Sequence, residues 1–456
     1  MSQPQKSSSY SFLKSASSIM IPSSPHTPDM THHMEAHLLR PMIHGTPHHN
    51  EAHLEHEGDS PIRRVIFNML NSIIGAGVVG LPFVFKTSGL FGGLLLMVFF
   101  AFISSYSLKL LIISAKFCQQ KNYEDLCEYL FGLKGYIFVS VTMLVFDFGA
   151  TLSYLIILGD SATQIGAIWG YDTDTDRQII IAVVSTVIIL PTILPRDISK
   201  IEKVSTLSVF SVILIMLVVI YEWIAYRFLF LQKGINTHLP RAMNWGIQLD
   251  GIPMAMGIIA FAFVCHDSSF LLYNTLSNPT VGRWSILAYS GCFVAVFICA
   301  CFAVPGYLTF GSNVNDNILN NYDTLNPLII AARCVYCVTM ALTYPCSFFV
   351  VRHVCYALFH HGPNYKSIRN APLWKHLLFT IPLFALNVLM GIFIKNLGIV
   401  MSISGSLSAV ILAFVLPTAC YIKISAYKVM FWKEKGSKRK WNALKTTGPP
   451  AVLFTF

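Results

Sequence analysis

From Arg63 onward, long apolar runs alternate with short polar loops. A helix needs about 20 mostly apolar residues to cross a bilayer. The pattern predicts ten spans, near residues 65–87, 91–115, 136–168, 178–194, 204–230, 251–276, 284–309, 327–358, 375–394 and 397–424. Residues 1–60 have no apolar period and are rich in Ser, Pro and His, which reads as a disordered cytosolic tail. The membrane-spanning part is expected over 61–426 and a basic cytosolic segment over 427–456. An eleventh span begins at Gly448 and Pro449, too near Phe456 to complete a crossing, so the eleventh helix is expected to be truncated.

Two spans break the apolar pattern. In the first, Asn68, Asn71, Ser72 and Gly75 fall on one helical face and run into Gly75-Ala76-Gly77, then Gly80 and Pro82. Unpaired backbone groups cost several kcal/mol in lipid, so a broken helix persists only where it lines a cavity or is buried in protein. Its freed N–H groups hold an anion and its freed carbonyls a cation. The competing reading is a glycine kink for close packing. In the sixth span, Cys265-His266-Asp267-Ser268-Ser269 interrupts an otherwise apolar helix. A mid-bilayer Asp costs about 2.5–3.5 kcal/mol, so unwinding is expected there, unless this segment is simply the wet end of the span.

Other spans carry polar faces. Tyr336, Thr339, Thr343 and Ser347 follow helical spacing in the eighth. Their hydroxyls either converge on a hard cation or bond back to their own helix. Asp147, Thr151 and Tyr154 share a face of the third span, with Asp160 a few turns on; intramembrane carboxylates are candidates for proton relays. The small residues Ser402 to Ser408 of the tenth span suit close packing.

Composition narrows the class. Only 12% of the 456 residues are charged, about half the soluble norm, and 54% are hydrophobic. The net charge of +10 does not signal nucleic-acid binding, because the bases sit in alternate loops. Arg63, Lys121, Arg196, Arg283, Lys366 and the run Lys433 to Lys440 fall on one side, while Asp172, Asp174 and Asp323 fall on the other. The positive-inside rule then puts the N-terminus in the cytosol. The 11 cysteines lie mostly in apolar runs, and Cys334 and Cys337 read as packing rather than redox or zinc chemistry. No phosphate loop, metal cluster or nucleophile–base pair stands in a loop, so no enzyme, metal or cofactor is expected.

Asn68-Met-Leu-Asn-Ser-Ile-Ile-Gly-Ala-Gly-Val-Val-Gly-Leu-Pro82 resembles the first-helix signature of the amino acid/auxin permease family. Phe261-Ala-Phe-Val-Cys-His266 with Phe270-Leu-Leu-Tyr273 resembles its sixth-helix signature, and Pro279 to Ser285 and Gly306 to Gly311 add to the likeness. The chain is most similar to the sodium-coupled neutral amino acid transporter type, especially its eleventh-member subgroup, with fungal vacuolar amino acid transporters nearly as similar. The resemblance implies an all-α, LeuT-like fold of five plus five inverted spans. It also implies a substrate held at the broken helices and sodium at Asn71 and Thr343, with Thr339 as the fallback. Asp267 departs from the family pattern, where Pro or His is usual; an acid there biases the site toward a cationic substrate or carries a proton.

The resulting expectation is a monomeric secondary transporter of neutral amino acids in the plasma membrane or a lysosome or vacuole. Gly75, Ala76 and Gly77 take the substrate carboxylate, Ala262, Phe263, Val264 and Cys265 take its amine, and Tyr154 lines the pocket. One alternative is proton coupling through Asp147, His266 or Asp267 in an acidic organelle. Another is an amino acid sensor with little flux, signalling through the tail. Partners are then the amino acid and the bilayer, not nucleic acid.

Overall fold

The computed structural model describes residues 58, 60–195, 202–233, 243–360 and 372–434, and these form helices without a β-strand. The expected tail, apart from Gly58 and Ser60, and the start of an eleventh span lie outside the described residues. The chain opens with α1 (Ile62–Ile74), a 3-10 turn (Ala76–Gly80) and α2 (Leu81–Ser88). Helices α3 (Leu90–Cys118), α4 (Tyr123–Phe131), α5 (Leu133–Gly166), α6 (Asp174–Ile193) and α7 (Glu202–Lys233) follow. Next come the short α8 (Ile252–Ala262) and α9 (Ser269–Thr275), then α10 (Val281–Phe310), α11 (Pro327–His360) and α12 (Leu373–Phe393). The last helix, α13, starts as Leu397–Ser404, passes through π turns at Gly405–Ala409 and Ile411–Val415, and ends as Leu416–Glu434.

Among the described residues eight helices are long and apolar enough to cross a membrane, and α1 with the turn and α2 makes a ninth candidate, bent by 44°. The first expected span is therefore present and broken at its glycines. Gly75 turns the chain out of the helix with φ −21° and ψ −128°. The sixth expected span is α8 and α9, separated by the non-helical residues 263–268. With 11 residues, α8 is too short to cross alone. The unwinding begins slightly before the polar residues that signal it.

α4 departs from the sequence expectation, which left residues 116–135 as a loop. Its buried Tyr123, Leu126, Cys127 and Leu130 follow i, i+3, i+4 and i+7 spacing. It is a 9-residue amphipathic helix, below the length at which an apolar run signals a span.

Outward faces of α3, α7 and α10 expose large apolar side chains such as Phe102, Phe210 and Phe293, as lipid-facing surfaces do. Inside, the breaks set the closest approaches. A Cβ added to Gly77 would stand 2.7 Å from the Ala262 Cβ, so the two broken segments touch. One added to Gly257 would stand 2.5 Å from the Ser402 carbonyl oxygen, and one on Gly405 would run into the Gly257 carbonyl. The small-residue stretch of α13 is thus the packing surface for α8.

The end of the bundle holding α2 is tied shut by polar links. Lys86 Nζ donates to the Val314 carbonyl at 2.9 Å, and Asp316 accepts from Gly398 N at 3.0 Å. Asp160 pairs with Arg177 Nε at 2.9 Å and accepts from Asn317 and Asn320 at 3.3 and 3.0 Å. That makes Asp160 a structural tie rather than a relay. Asp160→Ala leaves Arg177 buried without its countercharge and is expected to cost about 3–5 kcal/mol, read as a lower melting temperature of the purified protein; an unchanged melt contradicts it. Gly77→Ala is expected to cost about 1–3 kcal/mol by overpacking. Adding Ala262→Gly should recover most of that loss if this contact is its cause.

Candidate functional site

The site is built where the two breaks face each other. Gly75 N–H still donates to Asn71 O at 3.3 Å, the last bond of α1. The next N–H groups, of Ala76 and Gly77, open the 3-10 turn, where the first donors have no intrahelical partner. Two tyrosines cover this point. Tyr336 Oη donates to the Gly75 carbonyl at 3.4 Å, and Tyr154 Oη lies 3.4 Å from where a Gly75 Cβ would be. A methyl at Gly75 would only touch Tyr154, whereas one at Gly77 would press on Ala262.

On the facing segment, Ile259 O takes the Phe263 N–H at 2.9 Å, and the α8 carbonyls beyond it have no donor in their own helix. Ala262, Phe263, Val264 and Cys265 are all buried. The Cys265 carbonyl already accepts from Ser268 Oγ at 3.2 Å, and the His266 carbonyl from Ser269 Oγ at 2.6 Å. The same Ser268 hydroxyl lies 3.3 Å from Ser72 Oγ, so α1 and the second break are joined on the polar stripe.

The stripe is graded in exposure. Ser72 is exposed and Asn68 and Asn71 are half-buried, whereas Ala76 to Gly80 are buried. Asn71 Oδ1 itself is buried and has no hydrogen-bond partner. A buried acceptor without a donor is costly unless something else meets it.

The other expected residues fall in three groups. Thr339 and Thr343 donate to the carbonyls of Val335 and Thr339, at 2.8 Å each. Their protons point back along α11, which leaves oxygen lone pairs for a cation. Thr151, on the Asp147 face, accepts from Asn387 Nδ2 at 3.1 Å, and Asn387 Oδ1 accepts from Tyr344 Oη at 3.0 Å.

His266 is turned away to α3 and α13. Its Nε2 is 2.6 Å from Ser107 Oγ, and Ser107 donates to the Ala413 carbonyl. Nε2 and the Ser107 hydroxyl share one hydrogen bond, while Nδ1 is buried without a partner.

Asp147 is buried, and its Oδ2 has no hydrogen-bond partner. The charges of Asp267 and Glu124 act on it, and those of Asp147 and Asp267 act on Tyr154. Glu124 was not legible as a site residue because its helix, α4, is too short to register in the span pattern. Burial raises its carboxyl above the ordinary range, and Asp125 and Asp267 add to this. Tyr336 carried a usable signal, since it shares its helical face with Thr339 and Thr343.

Residues 58–446 match the family described as transmembrane amino acid transporter protein. The chain is 34% identical over 365 residues to the Bos taurus protein named sodium-coupled neutral amino acid transporter 11, covering 79% of this chain and 75% of that protein. It is 33% identical over 374 residues to the Danio rerio protein of that name, covering 81% and 80%. It is 27% identical over 402 residues to vacuolar amino acid transporter 2 of Saccharomyces cerevisiae, covering 85% and 81%. These relatives are transporters, not enzymes. With a family match over most of its length and relatives above 30% identity, this chain belongs to the transmembrane amino acid transporter protein family.

Proposed function

We propose that the chain moves amino acids by alternating access in a LeuT-like arrangement of five plus five inverted spans, coupled to sodium. The observation that carries this reading is the contact of Gly77 with Ala262, which brings the two broken segments together. A zwitterion has complementary needs. Its carboxylate meets the Ala76 and Gly77 N–H groups, and its ammonium meets the carbonyls at the end of α8.

Asn71 Oδ1 is the strongest support for a cation, being a buried acceptor with nothing to accept from. Oxygen donors suit sodium as a hard cation, and the Thr343 and Thr339 hydroxyls supply them on α11. With the N-terminus in the cytosol, the exposed Ser72 end of the stripe is the cytosolic entrance, and the Lys86 and Asp316 links close the opposite mouth.

A second reading is supported by the unpartnered Asp147 Oδ2: coupling to protons in a vacuolar or lysosomal membrane, as the likeness to the yeast vacuolar protein suggests.

Reconstituted protein in liposomes, given labelled amino acids and a sodium or a proton gradient separately, separates these readings. Sodium-driven uptake is expected. Asn71→Ala should then shift the sodium dependence to concentrations about tenfold higher, the effect of losing one ligand worth about 1.4 kcal/mol, with little change in melting temperature. Uptake steep in pH and indifferent to sodium would replace sodium with the proton. Absence of both flux and binding would remove the transporter reading.

A further inference from the structure

Asp147, Asp267 and Glu124 form a group that amino acid backbone recognition does not use. They come from α5, the second break and α4, three elements remote in sequence. Asp147 and Glu124 both feel the charge of Asp267, and Asp147 feels Glu124 as well. Among the described residues no Lys or Arg forms an ion pair with any of the three. Independently of the clustering, Asp147 Oδ2 is buried without any hydrogen-bond partner. A buried carboxylate without a countercharge is expensive, and one partner of opposite sign relieves it.

Among the described residues no three His, Cys, Asp or Glu side chains converge closely enough to hold a metal ion. An organic cation with several donors is the remaining kind of countercharge that the substrate itself can bring. Position gives the source. Tyr154 sits at the Gly75 break and Asp147 seven residues before it on the same face of α5, about 10 Å along the helix. A ligand anchored by its α-carboxylate at Ala76 and Gly77 therefore sends an extended side chain toward Asp147. A lysine ammonium on its four-carbon stem, or an arginine guanidinium, carries the charge over such a span.

We propose that the amino acid taken by this site has a cationic side chain, received by Asp147 with Asp267 and Glu124 supplying the surrounding negative charge. The inference rests on the transporter reading and departs from the neutral substrates in the names of the sodium-coupled relatives.

The test compares lysine with norleucine, which has the same carbon stem and no ammonium, as competitors of labelled arginine uptake by the full chain in liposomes. Lysine is expected to compete at concentrations about tenfold lower than norleucine, the effect of one charge-assisted hydrogen bond. Asp147→Asn should remove that preference, so that lysine competes no better than norleucine, within about twofold. The wild-type comparison decides the matter even if the variant fails to fold. The inference is overturned if norleucine competes as well as lysine. It is also overturned if labelled leucine is taken up and arginine is not, an outcome that leaves the transporter reading standing. Equal loss of every substrate in Asp147→Asn overturns it too, since that marks a relay or structural role. Absence of uptake and binding of any amino acid overturns both.

Discussion

The bundle depends on one constraint: polar backbone exposed by a broken helix inside lipid must find a partner within the protein. Two breaks occur, at Gly75 and over 263–268, and each is stable because the other elements close around it. Glycine at 77 lets the segments touch, Tyr336 answers the Gly75 carbonyl, and Ser268 and Ser269 answer the carbonyls of Cys265 and His266. The groups left over, at Ala76, Gly77 and the end of α8, have no partner within their own helices.

The same constraint explains the last helix. A π turn displaces carbonyls from the regular helical ladder. In α13 the Leu412 carbonyl accepts from Tyr123 Oη at 2.8 Å and the Ala413 carbonyl accepts from Ser107. Ser107 is in turn bonded to His266 in the second break. A chain of hydrogen bonds thus links the irregular part of α13 to the irregular part of the sixth span. α4, through Tyr123, braces it from the side.

Buried polar side chains divide into two kinds. Asp160 is paired with Arg177 and two asparagines, and Arg333 donates to the carbonyls of Leu319 and Tyr322 at 2.8 and 3.0 Å. These tie loops to helices. Asp147 and Asn71 each keep a buried oxygen without a donor. In sequence, Asp147 and Asp160 look alike, as polar positions on one apolar helix. Only the neighbours that α6 and the 318–321 turn bring to Asp160 distinguish a tie from an open site.

The sequence by itself determined the all-helical membrane class, the placement of the spans and both helix breaks. Each of these is local: a run of apolar residues long enough for the bilayer, or glycines and polar residues within such a run. The likeness of the first and sixth spans to a permease family was also readable, because it lies in contiguous motifs. The tertiary structure decided which polar groups meet. It put Gly77 on Ala262, turned His266 away to Ser107, and locked Thr151 to Asn387. It also folded residues 123–131 into a helix too short to leave a span signal. Periodicity gives the face on which a side chain lies, but the partner on that face comes from another helix, and its identity is set by packing over long sequence separations.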